Sequence, residues 1–173
     1  MTTTATTAKE SARAFLDGLL ADGPVDKLRA RVDWPRYRLM QLMQGTAGTD
    51  AATREQLLAR GFVELSRATF GADAEERALR SLRSLVEILL PRGWRFVDGY
   101  GSPMLAALAG GPAAGAPPNL TRYLTMLQEI ARAAVAVTIA GRDDDEGRKL
   151  MTLLFVDGKY VGFLPGSLEA PKQ

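Results

Sequence analysis

The run Leu150-Met-Thr-Leu-Leu-Phe-Val156 ends on Asp157-Gly158, and Lys159-Tyr-Val-Gly-Phe-Leu164 follows at once. Parallel neighbours need a long crossover, so a two-residue connection between two apolar segments commits this part of the chain to an antiparallel hairpin. Gly158 supplies the positive φ that a type I′ turn demands. Leu150 to Val156 is apolar almost throughout and fits a buried strand, while Pro165-Gly166 stops the return strand. Upstream, Val135, Val137 and Ile139 alternate within Ala133 to Ala140, the pattern of a strand with one apolar face. The last part of the chain is therefore expected to be a three-stranded meander, with Gly141 to Gly147 as a charged connection.

The first half carries a different period. Ala12, Phe15, Leu16, Leu19 and Leu20 recur at helical spacing between Ala8 and Leu20, and Asp22-Gly23-Pro24 stops that helix. A short helix is expected from Val25 to Arg31. Asp33-Trp34-Pro35 has the form of a capped start, with Asp33 as N-cap and Pro35 in the first turn of a helix to about Gln44. After a join at Gly45 to Thr49, one amphipathic helix carries Leu57, Leu58, Phe62, Leu65 and Thr69. A second begins at Asp73-Ala-Glu-Glu76, where Asp73 can cap and Glu76 can reach back. Its stripe is Ala78, Leu79, Leu82, Leu85, Val86 and Leu89, closed by Pro91 and Gly93. Trp94 to Tyr100 is expected to be a strand leading into the Gly99-Tyr-Gly-Ser-Pro103 turn. Met104 to Ala109 fits one or two helical turns, and Gly110 to Pro118 reads as a loop. Leu120 to Ile130 is open between helix and strand, since Tyr123, Thr125 and Leu127 also alternate. The whole is expected to be α+β, with N-terminal helices packed on a curved antiparallel sheet. A single domain spans 9–168, between a polar lead-in at 1–8 and a tail at 169–173.

Composition narrows the chemistry. The 173 residues contain neither cysteine nor histidine. This removes disulfides, thiol nucleophiles, zinc–thiolate sites, imidazole ligands and the Ser-His-Asp and Cys-His relays. Acid–base work would fall to Asp, Glu, Tyr, Lys or Arg. Hydrophobic residues make up 46% and charged residues 24%, values typical of a globular protein. A bilayer span takes about 20 apolar residues, and the longest candidate, Leu85 to Leu90, is interrupted by Glu87. The chain is therefore expected not to be transmembrane. The Thr-rich opening has neither the charged head nor the apolar stretch of a signal peptide. A cytoplasmic location follows, with the periplasm as the alternative if a leader has been removed. A net charge of +2 is too balanced for a dedicated nucleic-acid protein.

The opening helix Ala12-Arg-Ala-Phe-Leu-Asp-Gly-Leu-Leu20, the Val32-Asp33-Trp34 step and the Phe155-Val-Asp-Gly-Lys-Tyr-Val161 hairpin together resemble the nuclear-transport-factor-2-like (cystatin-like) superfamily. Thr53-Arg-Glu-Gln-Leu-Leu58, through Phe62 and Phe70 ahead of a closing meander, is similar to the periplasmic phospholipid-carrier (toluene-tolerance) family. The long helical stretch before any strand departs from both patterns. The resemblance implies a curved sheet wrapped by helices around a pocket, a fold that hosts enzymes, carriers and assembly modules alike.

The candidate pocket residues are Trp34, Tyr37, Trp94, Asp98, Tyr100 and Tyr123, with Met104 beside them. Asp33, Trp34, Arg36, Tyr37 and Arg38 place acid, aromatics and base together, although capping by Asp33 and packing by Trp34 explain the same residues. Asp98 and Tyr100 equally suit a strand end. Asp143-Asp-Asp-Glu146 lacks the ligand spacing of a calcium loop and reads as a solvated hairpin tip. Lys27, Arg29, Arg31, Arg36 and Arg38 form a cationic patch interleaved with Asp26 and Asp33. No catalytic residue, metal or cofactor is assigned. Three functions are open: non-catalytic binding of an apolar small molecule or lipid between sheet and helices, assembly as a homodimer through the outer sheet face, and dehydratase or isomerase chemistry with Asp98 or Asp33 as base.

Overall fold

A computed structural model describes residues 2–46, 49–67, 72–98, 115, 118–144 and 149–166. Helix α1 (Thr2–Leu20) is followed by a 3₁₀ helix (Asp26–Arg31), α2 (Trp34–Thr46), α3 (Ala51–Arg67) and α4 (Ala72–Leu89). Strand β1 (Trp94–Val97), α5 (Pro118–Ala133), β2 (Val135–Gly141), β3 (Leu150–Val156) and β4 (Lys159–Gly166) complete the described elements. The α+β class is as the sequence indicates. The four strands lie in chain order and every pairing is antiparallel. No helix among the described residues is long and apolar enough to cross a membrane.

Strand β3 is buried along its entire length because the sheet is covered on both faces. Met151, Leu153 and Phe155 join Val137 and Ile139 in one core with Ala12, Phe15, Leu16 and Leu19 of α1 and Leu79, Leu82 and Val86 of α4. Leu154 and Val156 point the other way and pack with Leu39 and Met40 of α2, Leu58 of α3 and Tyr123, Leu127 and Ile130 of α5. Alternation along a strand sends successive side chains to opposite faces, so an apolar run without alternation needs two covers. Thr138 and Thr152 satisfy each other on β2 and β3 through a hydroxyl pair at 3.0 Å.

Several local elements form as their residues dictate. The β3–β4 turn holds Asp157 at φ 50° and Gly158 at φ 75°, both positive as a type I′ turn requires. Asp33 accepts the Arg36 backbone N–H at 3.3 Å and so caps α2. The side chains of Leu79, Leu82 and Val86 are buried, as the α4 stripe predicts.

Other readings are corrected. Helix α1 begins at Thr2, ahead of the Ala8 start that the apolar pattern marks, because threonines carry no periodic signal. Helix α4 begins at Ala72, which places Asp73 inside the first turn rather than in a capping position, and Glu76 pairs forward with Arg80 at 3.2 Å. Leu57 is exposed while its neighbour Leu58 is fully buried, since adjacent residues lie about 100° apart on a helix. Leu120 to Ile130 is helical: Leu120, Tyr123, Leu127 and Ile130 share the buried face, while Thr125 is exposed and donates to the Thr121 carbonyl. Glu55 of α3 accepts the Leu120 N–H at 2.9 Å and closes the start of α5. Tyr100, Met104 and Thr69 lie outside the described residues, as do the side chains of Phe62 and Leu65.

Candidate functional site

One irregularity in the sheet sets the geometry of the candidate site. Leu154 pairs with Gly162 but Phe155 pairs with Tyr160, leaving Val161 as an extra residue on β4. Such a bulge re-aims the side chains beside it. Here it turns Tyr160 onto the α1/α4 face, where its ring stacks on Phe15 at 4.6 Å and meets Phe155 edge-on at 6.0 Å. Gly162 serves the opposite face. Its φ is 151°, and a Cβ there would lie 3.1 Å from Cβ of Met40, so glycine lets α2 cross the strand closely.

The segment between the 3₁₀ helix and α2 runs along β4 at the same point. Val32 forms a parallel bridge with Tyr160, and the Asp33 N–H donates to the Tyr160 carbonyl at 2.9 Å. Trp34 donates its indole N–H to the Arg29 carbonyl at 3.0 Å, and its ring meets Tyr37 edge-on at 5.3 Å. Tyr37 in turn lies 6.1 Å from the Tyr160 ring. Val32, Trp34, Tyr37 and Tyr160 thus form one wall of a small cleft, and Ala78, Leu79 and Leu82 of α4 form the other. The walls lie close together, and the space between them is too narrow to seat a water molecule.

The Tyr160 hydroxyl is buried and has no hydrogen-bond partner among the described residues. Leaving a buried donor unpaired costs about 1–3 kcal/mol. Burial, with the Tyr37 phenol beside it, holds the Tyr160 pKa well above the ordinary phenol range. Burial raises Tyr37 as well. Tyr160 therefore remains a neutral donor throughout the physiological range.

Two arginines tie α4 over this cleft. Arg29 donates to the buried carboxylate of Glu75 at 2.7 Å, from the 3₁₀ helix to the first turn of α4. Arg83 reaches the Leu19 carbonyl and, at 3.0 Å, the Gly23 carbonyl at the end of α1. The alternating Arg and Glu pattern of α4 reads as surface charge in the sequence, but Arg83 is a tether.

The sequence candidates fall in three places. Trp34 and Tyr37 meet at the cleft. Trp94 lies on the edge strand, 4.9 Å from Phe96 and with the Arg13 guanidinium 5.9 Å from its ring. Asp98 follows it, with a side chain 79% exposed and ion-paired to Lys9. Tyr123 sits on the other side of the sheet and donates to the Leu39 carbonyl at 3.1 Å. The geometry of a base in a dry pocket is not met at either acid, since Asp33 is committed to its cap and to Arg36, and Asp98 to solvent and Lys9. Within the cationic patch, Arg29 and Arg36 are paired with Glu75 and Asp33. Asp143 lies 3.8 Å from Arg92 and Asp144 accepts the Lys149 N–H. No acidic group among the described residues is arranged to hold a metal. Tyr160 is the site residue that sequence reasoning missed. Its signal was Gly162, because a glycine inside a strand marks a bulge or a close approach.

Fold and cleft together define an α+β protein with a sheet covered on both faces and an aromatic slot at the edge of one core. Comparison with known proteins finds no matching family model, no similar curated protein and no similar solved structure.

Proposed function

We propose that this protein binds a small apolar molecule in the cleft between α4 and the Trp34–Tyr37–Tyr160 wall, without catalysing its conversion. The observation that carries the reading is the Tyr160 hydroxyl, a dry donor unpartnered among the described residues, in a mostly apolar lining. Small-molecule sites combine mostly apolar walls with a few placed polar groups, and this cleft has that composition. Buried polar groups are otherwise paired in folded proteins, so an orphan in a slot calls for a partner from outside the chain. Binding requires α4 to part from the opposite wall, and the Arg29–Glu75 pair is the tie across which it opens. A pocket of this kind also agrees with the cone-fold resemblance of the hairpin and opening helix. Homodimerisation through the outer sheet face is less favoured, because α2, α3 and α5 cover that face.

N-phenyl-1-naphthylamine, a neutral probe that fluoresces when removed from water, tests the reading. The wild-type protein is expected to raise its fluorescence saturably. Ala78→Leu fills the slot from α4 and is expected to abolish the signal while leaving the melting temperature within a few degrees. Equal binding by this variant would place the probe elsewhere and refute the assignment.

A further inference from the structure

We infer that the ligand of this cleft is a flat, uncharged molecule with a hydrogen-bond acceptor, such as a carbonyl oxygen, that receives the Tyr160 hydroxyl proton. The inference rests on the binding function proposed above and specifies the ligand's chemistry.

Three features converge on it. The first is the donor. The Tyr160 hydroxyl is buried without a partner among the described residues, and the cleft seats no water to serve as one. Its high pKa keeps the proton on the phenol, so the ligand must supply the acceptor. The second is charge. No cationic side chain lines the slot, and of the arginines near its lining residues in sequence, Arg29, Arg36 and Arg80 are each held by a carboxylate. An anionic ligand would enter an apolar slot unpaired, with Glu75 already buried at the first turn of α4. An unpaired buried charge is strongly unfavourable, whereas a neutral carbonyl loses little on leaving water once it accepts a hydrogen bond. The third is shape. Trp34, Tyr37 and Tyr160 make one wall aromatic, and on the other wall Ala78 offers only a methyl group beside Leu79 and Leu82. Parting the walls by the thickness of one ring admits a planar body before a globular one, and aromatic rings favour stacked or edge-on neighbours.

Naphthalene, 2-acetonaphthone and 2-naphthoate share one ring system and differ in the acceptor and the charge. Their dissociation constants can be measured by quenching of tryptophan fluorescence with the wild-type protein, Tyr160→Phe and Ala78→Leu. The ketone is expected to bind wild type about fivefold more tightly than the hydrocarbon, the worth of one hydrogen bond. The carboxylate is expected to bind about tenfold more weakly than the ketone. Tyr160→Phe should bring ketone and hydrocarbon to equal affinity. Equal affinities in wild type, a ketone preference that survives Tyr160→Phe, or tightest binding by the carboxylate would each overturn the inference and leave an apolar site standing. Failure of all three probes, or binding indifferent to Ala78→Leu, would overturn the proposed function and the inference with it.

Discussion

Tyr123 and Tyr160 are buried to the same degree, at 2% and 1% exposure, on opposite faces of one sheet. Tyr123 donates its hydroxyl to the Leu39 carbonyl and ties α5 to α2. Tyr160 donates to nothing among the described residues. The core around Tyr123 thus has the internal economy of a structural interior, in which a polar tip is admitted because a neighbour satisfies it. The core around Tyr160 borders a narrow cleft and carries an unused donor, and a strand bulge, an edge bridge and a helix tether meet there. Burial and residue type are the same for the two tyrosines, and the hydrogen-bond partner is what differs.

Truncation should hide that contrast, because both rings fill core volume. Tyr160→Ala and Tyr123→Ala are each expected to cost about 3–5 kcal/mol of stability, read by urea denaturation. A loss below about 1 kcal/mol at Tyr160 would mean that its ring is not packed on Phe15 as described. Arg29→Ala comes next. It leaves the Glu75 carboxylate buried and unpaired, for an expected loss of about 1–3 kcal/mol that Glu75→Gln in the same background largely restores. Additive losses in the double variant would deny the pairing.

Removing single hydroxyls is the sharper instrument. Tyr123→Phe should lose about 1 kcal/mol, while Tyr160→Phe should be neutral or gain up to about 1 kcal/mol, because it deletes an unsatisfied donor. Equal losses at the two sites would show that the Tyr160 hydroxyl has a partner in solution. The smallest effect is in alkali. Burial raises the Tyr160 pKa above its unfolded value, so the folded state holds that proton longer. The resulting stability is fully present below about pH 10 and declines as pH rises beyond it. Stability profiles of wild type and Tyr160→Phe should therefore run parallel to about pH 10 and diverge above it, with wild type falling further. Parallel profiles at every pH would count against a dry phenol.

Much of the fold is local in origin and legible for that reason. Asp157-Gly158 and Asp33 each act within a few residues, through the φ of a turn and the first amide of a helix. The α4 stripe is equally local, written in one helical period. The Leu150–Val156 run gave its own burial, but not which elements cover its two faces, because covering depends on contacts far apart in sequence. The same limit governs the site. Trp34 and Tyr37 lie three residues apart and face one slot together. Trp94, Asp98 and Tyr123 look equivalent in composition, yet topology sends them to an edge strand, to solvent and to the opposite core. Tyr160 reads as an ordinary strand residue, because a bulge between Leu154 and Phe155 decides which way it points. Only Gly162 hints at that bulge.

The central claim is that Tyr160 holds its hydroxyl for a ligand. A crystal structure of the protein grown with 2-acetonaphthone tests it most directly. The account predicts the naphthalene ring between Ala78 of α4 and the Trp34–Tyr37 wall, with the ketone oxygen about 2.7–2.8 Å from the Tyr160 hydroxyl oxygen. The ketone bound elsewhere, or an ordered water occupying the Tyr160 hydroxyl in crystals grown without it, would contradict the claim.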